Sequence, residues 1–202
     1  MLKKAKLFAE KAHEGQRRKS TGEPYITHPI RVADILMEAG FSDEVVCAGY
    51  LHDVVEDTNV TLNDIQHAFG NSVANLVAAH TEDKKKSWKE RKQHTIDTVK
   101  TGSLEVKSLI VADKLDNLLS MEAEYAAKGE EIWKHFNAGY EAQQWYNQGI
   151  VSHMNKGLIE RPAFFTTYEK PSEDFSDFTN QLQLNIDVLG IPVIGYCLLK
   201  DS

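Results

Sequence analysis

Apolar residues recur at helical spacing along most of the chain, and this spacing predicts a series of amphipathic helices. The first helix is predicted from Leu2 to about His13. Residues 16–24 follow as a loop, indicated by their glycine, proline and serine content, and they include three consecutive cations. Residues 27–40 then form a second predicted helix, with a proline in its first turn and a glycine at its end. The pattern predicts an all-α fold.

The most distinctive stretch belongs to the next predicted helix, where an apolar run is followed by His52, Asp53, Glu56 and Asp57. At about 100° per residue, these four side chains lie within an arc of roughly 140°. Charged groups in apolar surroundings need partners, and a divalent cation bound by an imidazole nitrogen and a carboxylate is the simplest one. A helix end with a solvated acidic face is the alternative, and Glu56 and Asp57 alone fit it equally well.

A second informative helix is predicted from Leu104 to about Ala127. Asp113 and Asn117 are four residues apart and therefore share one face of this helix. Asp113 follows four apolar residues, so we expect it to be at least partly buried and to need a cation or several hydrogen-bond donors. His28, at the start of the second helix, is by itself more typical of a local hydrogen-bonding residue than of a metal ligand.

The C-terminal quarter differs in character from the rest of the chain. An aromatic-rich helix is predicted over residues 130–154, and its aromatic side chains indicate core packing. From Arg161 onward prolines interrupt the chain, a last helix is predicted over residues 175–189, and residues 190–199 favour a short strand. We therefore expect a helical domain at residues 1–156 and a C-terminal appendage, with some β structure, at residues 157–202.

Composition narrows the classes of protein to consider. The chain has 202 residues, 42% hydrophobic and 26% charged, as in an ordinary globular protein. A net charge of −7 weighs against a general binder of nucleic acid or anionic membranes. No apolar run reaches membrane-spanning length, and the N-terminus lacks the pattern of a signal peptide. Cys47 and Cys197 form no disulfide framework, which favours the cytoplasm.

Several motifs, taken together and in this order, resemble the HD-domain metal phosphohydrolases. The resemblance is closest to the hydrolase domain of the RelA/SpoT alarmone enzymes and to the stand-alone small alarmone hydrolases. It covers about residues 1–155. The matching segments are Gln16-Arg-Arg-Lys-Ser, Gly22-Glu-Pro-Tyr-Ile-Thr-His28-Pro29, Leu51-His-Asp-Val-Val-Glu-Asp-Thr58, Phe69-Gly70, Glu90-Arg-Lys92 and Ala112-Asp-Lys-Leu-Asp-Asn-Leu118.

This resemblance implies a compact HD-domain helical bundle that holds one ion, commonly Mn²⁺, although other divalent transition metals suit the same ligands. The metal ligands that it implies are His28, His52, Asp53 and Asp113. Glu56 and Asp57 are implied to handle the protons of water and leaving group. Substrate contacts are implied for Arg18 and Lys19, which match the family's loop for guanine and phosphates, and for Asn117 and Ser120.

The function implied is hydrolysis of guanosine-3′,5′-bis(diphosphate), or (p)ppGpp, to GDP and diphosphate. We expect hydrolysis without synthesis, because the appendage is too short for a nucleotide synthetase. One alternative is an HD-domain phosphohydrolase of another nucleotide, such as a nucleoside monophosphate or an NADPH-like compound. Another is a non-catalytic nucleotide or metal sensor. Leu119 and the segment Ala79-His-Thr-Glu82 depart from the family's pattern. The expected partner is the nucleotide alone, and the sequence leaves a homo-oligomer open.

Overall fold

The computed structural model describes residues 1–19, 21–129, 131 and 138–170, and within these it is helical. Residues Met1–Lys170 form one compact unit. No described helix is long and apolar enough to cross a membrane. The helices are α1 (Leu2–Ala12), α2 (Thr27–Glu38), α3 (Asp43–Leu51), α4 (Val54–Asp57), α5 (Leu62–Phe69), α6 (Asn71–His80), α7 (Trp88–Thr101), α8 (Leu104–Lys128), α9 (Tyr140–Met154) and α10 (Ala163–Glu169).

Helix α3 lies at the centre of the N-terminal half, and its residues from Val45 to Leu51 are all buried. It contacts α1, α2, α6 and α8. Gly49 lets α2 approach closely, because a Cβ atom at this position would lie only 3.0 Å from the Ala33 Cα atom and from the Leu36 Cδ1 atom. This close approach holds the start of α2, which carries His28, beside the end of α3.

Helix α8 is the second central element. Its residues from Lys107 to Asp113 are buried, and it contacts α2, α3, α6, α7, α9 and α10. Ser103 caps its N-terminus by accepting a hydrogen bond from the Val106 amide. The helix therefore runs through the interior and brings Asp113 to the level of α2 and α3.

Two predicted helices are shorter than expected. The helix predicted to continue through His52 and Asp53 ends at Leu51, and the short helix α4 begins at Val54. His52 and Asp53 keep right-handed helical backbone angles at this join, so the chain changes direction only slightly there. Helix α9 begins at Tyr140, because Gly139 before it is extended, with φ −65° and ψ 176°. The predicted start at residue 130 is therefore wrong.

The compact unit reaches past the predicted boundary between residues 156 and 157. Helix α10 contacts α8 and α9 and buries Phe165 and Tyr168. The division into 1–156 and 157–202 stays a prediction about which part folds alone. The helix predicted at 175–189 and the strand predicted at 190–199 lie outside the described residues, as do Trp133 and Phe136 of the aromatic-rich stretch.

Candidate metal centre and active site

Three parts of the fold converge on one buried point. His28 lies in the first turn of α2, His52 and Asp53 form the join between α3 and α4, and Asp113 lies in the middle of α8. His28, His52 and Asp53 are polar residues beside apolar runs, so the packing of α2, α3 and α8 brings their side chains into the interior. His28, His52, Asp53 and Asp113 are all buried.

The ligand atoms of these residues lie at the separations that donors around one ion have. His28 Nε2 lies 3.2 Å from His52 Nε2 and 3.2 Å from Asp113 Oδ1. Asp53 Oδ2 lies 3.1 Å from His52 Nε2 and 3.6 Å from His28 Nε2, while His52 Nε2 is 3.9 Å from Asp113 Oδ1. The side chains of His28, His52 and Asp113 form a group able to hold a metal ion.

The outer nitrogens of the two histidines show that this group fits a cation. His52 Nδ1 is 2.8 Å from the Gly49 carbonyl oxygen, and His28 Nδ1 is 2.6 Å from Asp116 Oδ2. Both acceptors lack hydrogens, so each Nδ1 atom donates and each neutral ring has a bare Nε2. Two bare nitrogens 3.2 Å apart repel each other. A divalent cation bound by both nitrogens and the neighbouring carboxylates removes this repulsion.

The pKa values of the buried groups indicate that this site favours a positive charge. Burial by itself would lower the pKa of His52, but the charges of Asp53 and Asp113 outweigh it and raise the pKa to about 9. Burial would raise the pKa of Asp53, yet the adjacent imidazoles hold it below its usual range. The carboxylates therefore stabilise a positive charge at this point, carried either by a proton or by a metal ion.

Four side chains surround the Asp113 carboxylate, and each approaches one of its two oxygens. Its Oδ2 accepts hydrogen bonds from His80 Nε2 at 2.8 Å and from Lys114 Nζ at 2.5 Å. Its Oδ1 accepts a bond from Asn117 Nδ2 at 2.6 Å and faces His28. Burial favours the neutral acid, but Lys114 and the histidines keep the pKa of Asp113 well below its usual range.

Asp53 is oriented by a tyrosine that our sequence analysis did not single out. Tyr25 Oη donates to Asp53 Oδ2 at 2.6 Å and lies 3.2 Å from Asp57 Oδ2. Burial and the charge of Asp53 raise the pKa of Tyr25, which therefore remains a donor. Its position three residues before His28, inside the matching segment, was the signal available in the sequence.

Glu56 and Asp57 project from α4 beside this centre but differ in their surroundings. The Glu82 amide donates to Glu56 Oε2 at 3.2 Å. Burial and the charges of Asp53, Glu82 and Asp57 nevertheless raise the pKa of Glu56. Asp57 pairs with Lys84, whose Nζ is 2.7 Å from its Oδ1. A raised pKa suits the Glu56 carboxylate to accept a proton.

The predicted substrate-binding residues line a cavity of about 750 Å³ that also contains His28, Asp53, Glu56 and Asp113. Arg18 Nη2 donates to Asn117 Oδ1 at 2.9 Å, so both polar atoms of the Asn117 side chain are engaged within the protein. The Ser120 hydroxyl donates to the Asp116 carbonyl oxygen of its own helix. Lys19 lies exposed at the rim.

Six cationic side chains line this cavity, together with six carboxylates. The cations are the groups that could bind a polyphosphate. They comprise Arg17, Arg18, Lys19, Arg91, Lys92 and Lys114. Glu82 organises two of them, since its carboxylate accepts from Arg91 Nη1 at 2.6 Å and from Lys92 Nζ at 2.8 Å. In the sequence, Arg91 and Lys92 stood out only as part of the matching segment Glu90-Arg-Lys92, and Glu82 only as part of the segment that departs from the family's pattern.

Asp116 is another residue that the sequence analysis passed over. It is 97% buried, and besides His28 it binds Arg31, whose Nε is 2.5 Å from its Oδ1, and Arg18, whose Nη1 is 3.4 Å from its Oδ2. Its spacing of three residues from Asp113 places both on one side of α8, and this was the signal in the sequence. His80 stood out in the sequence only as part of the segment that departs from the family's pattern.

Comparison with known proteins identifies the family in which these features occur. A family model for the HD domain matches residues 5–141. The guanosine-3′,5′-bis(diphosphate) 3′-pyrophosphohydrolase MESH1 of Homo sapiens is 46% identical over 120 residues, which are 58% of this chain and 67% of the relative. The bifunctional (p)ppGpp synthase/hydrolase SpoT of Escherichia coli K12 is 48% identical over 92 residues, which are 46% of this chain and 13% of SpoT.

Two solved structures are similar to this chain. A crystal structure of a Listeria monocytogenes EGD-e protein is 55% identical, has a TM-score of 0.68, and covers 70% of this chain and 94% of its own. A metazoan ortholog of SpoT, described as hydrolysing ppGpp, is 29% identical with a TM-score of 0.66, and covers 83% of this chain and 92% of its own. The predicted all-α HD-domain fold is confirmed within the described residues, and the chain belongs to the HD-domain family.

Proposed function

We propose that this protein is a metal-dependent pyrophosphohydrolase that removes the 3′-diphosphate of guanosine-3′,5′-bis(diphosphate) and of its pentaphosphate counterpart. The observation that supports the proposal is the convergence of two imidazole nitrogens and two carboxylates on one point, next to Glu56 and at a cavity whose wall includes six cations. The named activities of the relatives support the choice of substrate. Because SpoT is matched over only 13% of its length, its whole activity is not carried over.

The ion is held by His28, His52, Asp53 and Asp113 in this proposal. Two nitrogen and two oxygen donors suit a borderline divalent ion, and we propose Mn²⁺ as the physiological one. When bound, the ion polarises phosphate oxygens and makes water more acidic. Tyr25 and Asn117 orient the two carboxylates through the hydrogen bonds described above.

Proton transfer falls to the carboxylates of α4. Glu56 accepts a proton from the attacking water, since its raised pKa matches that task. The water oxygen forms a bond to the phosphorus attached to the 3′ oxygen, and the bond between that phosphorus and the 3′ oxygen breaks. The 3′ oxygen of GDP gains a proton, which we assign to Asp57 to deliver, and diphosphate leaves with the new oxygen.

Substrate is positioned by the cavity wall. Arg18 and Lys19 come from the loop before α2, and the planar guanidinium of Arg18 suits both stacking on a base and binding of oxyanions. Lys92 and Lys114 lie deeper, next to Glu82 and Asp113, where they balance phosphate charge. Asn117 and Ser120 are within the same cavity and are proposed to contact phosphate or sugar oxygens.

The cytoplasm is the proposed location. The buried and unpaired thiol of Cys47 is compatible with a reducing compartment. The nucleotide is the proposed partner.

The proposal is tested with Mn²⁺ by measuring diphosphate release from guanosine-3′,5′-bis(diphosphate) and orthophosphate release from a nucleoside monophosphate and from NADPH. We expect the guanosine compound to be preferred. Glu56→Gln should lower kcat by roughly 10² to 10⁴ with little change in metal content, because it removes the proton acceptor and no ligand. Arg18→Ala should mainly raise KM.

Two results would contradict parts of this assignment. Near-native kcat in Glu56→Gln would exclude Glu56 as the proton acceptor. Effects of both substitutions on another nucleotide, but not on the guanosine compound, would retain the metal chemistry and overturn the substrate. Binding of nucleotide without turnover of any member of the panel would favour a sensor.

A further inference from the structure

His80 is the one buried histidine at the metal centre that the proposed reaction does not use. It is the last residue of α6, and its side chain is 6% exposed. Its Nε2 lies 2.8 Å from Asp113 Oδ2, while its Nδ1 is buried and has no hydrogen-bond partner among the described residues. The ring packs edge-on against the His52 ring, with centroids 4.8 Å apart.

The contacts of His80 fix its tautomer. The Asp113 carboxylate can only accept, so the hydrogen of the His80 ring is on Nε2. The alternative tautomer, with the hydrogen on Nδ1, would be unfavourable for two reasons. It would leave a buried N–H donor without a partner, and it would place the bare Nε2 atom against a carboxylate oxygen.

This hydrogen bond distinguishes the two oxygens of Asp113. Oδ2 accepts hydrogen bonds from His80 Nε2 and from Lys114 Nζ. Oδ1 faces His28 Nε2 at 3.2 Å and His52 Nε2 at 3.9 Å. A carboxylate anchored at one oxygen cannot rotate freely about its terminal bond, so its other oxygen stays directed at the ion site.

We propose that His80 is a positioning residue that holds Asp113 with Oδ1 toward the metal and Oδ2 away from it. The proposal rests on the metal site of the proposed function. Residues that orient a metal ligand in this way typically contribute about 10- to 100-fold to metal affinity. The neighbouring ammonium of Lys114 on Oδ2 disfavours a second cation there, so His80 acts through Asp113 and binds no ion itself.

Two substitutions of nearly equal chemistry test this role. His80→Gln carries an amide N–H about as far from the backbone as Nε2, whereas the amide of His80→Asn is one methylene shorter and does not reach Asp113. We expect His80→Asn to weaken Mn²⁺ binding about 10- to 100-fold, measured by competition with a fluorescent chelator. His80→Gln should stay within a few fold of the native protein.

Controls separate this effect from others. His153→Gln, on α9 and outside the cavity, should leave Mn²⁺ affinity unchanged, and thermal melts of the metal-free proteins report folding. Equal affinity in His80→Asn and the native protein would overturn the proposal, as would equal losses in His80→Asn and His80→Gln. Two ions per native chain and one in both variants, by elemental analysis, would make His80 a ligand and also overturn it.

The native protein provides a test that does not depend on any variant folding. Long-range ¹H–¹⁵N NMR of the ring should show His80 protonated at Nε2 and bare at Nδ1. Protonation at Nδ1 alone would overturn the positioning role. A native protein that binds no Mn²⁺ but shows the Nε2 tautomer would instead refute the metal site of the proposed function and leave the hydrogen bond intact.

Discussion

The two histidines of the candidate metal centre face the same point but are anchored in different ways. His52 donates to the backbone carbonyl of Gly49, within a helix whose neighbouring residues are apolar. His28 donates to the carboxylate of Asp116, which also binds Arg31 and Arg18. One anchor belongs to the backbone and is the same for any sequence that folds this way. The other consists of side chains and can be changed by substitution.

This difference has an electrostatic consequence. A carboxylate acceptor makes the imidazole that donates to it a stronger base and a better metal ligand than a neutral carbonyl does. Asp116 divides its charge among His28, Arg31 and Arg18, so its effect on His28 depends on the two arginines. The His28 side of the centre is therefore tunable and connected to the predicted substrate loop, whereas the His52 side is not.

The largest effects are expected from substitutions that remove a proposed metal ligand altogether. His28→Ala, His52→Ala and Asp113→Ala should each lose the bound ion, because each removes one donor from a set of four. Elemental analysis of the purified proteins measures this loss. His94→Ala, on the exposed face of α7, is the control and should keep its metal. Full metal retention in Asp113→Ala would exclude Asp113 from the ligands.

An intermediate effect is expected from the anchor of His28 alone. Asp116→Asn preserves shape and can still accept from His28, but it removes the negative charge, so metal affinity should fall about 10- to 100-fold. Chelator competition measures the change. Asp34→Asn, on the exposed face of α2, removes the same charge elsewhere and should have little effect. Unchanged affinity in Asp116→Asn would mean that the two histidine anchors are equivalent.

The smallest effect is expected from Arg31. Its side chain is 39% exposed, and Asp116 keeps His28 and Arg18 without it. Arg31→Ala should change metal affinity about fivefold or less, and less still in high salt, because exposed ion pairs contribute little and are screened. Titrations at two salt concentrations measure this. A tenfold or larger loss would show that Arg31, and not Asp116 alone, orients His28.

The sequence predicted the helices and the proposed ligands because both depend on local patterns. An apolar run that ends in His52-Asp53, and another that ends in Asp113, are visible in a few residues. Motif resemblance then joined them to His28. Local spacing could not show that α3 stops at Leu51, since His52 and Asp53 keep helical backbone angles and continue the pattern.

The contacts of His80, Tyr25 and Asp116 were beyond the sequence because each depends on packing between distant segments. His80 meets Asp113 only where α6 lies on α8, and Tyr25 meets Asp53 only where the loop before α2 reaches the join of α3 and α4. Asn117 was predicted to face substrate, and the structure shows both of its polar atoms bound to Asp113 and Arg18. Its contact with substrate remains a prediction.

The distance along the chain between His28 and Asp113 has a consequence for folding. An early intermediate in which α1 to α6 have assembled, but α8 has not docked, would possess two imidazoles without the second aspartate. Such a species, like the unfolded chain, would hold the ion weakly. If the proposed site binds an ion, we expect the metal to act late in refolding and to stabilise the finished structure by about 2.7 kcal/mol at a free concentration one hundred times Kd. The melting temperature should accordingly rise with added Mn²⁺.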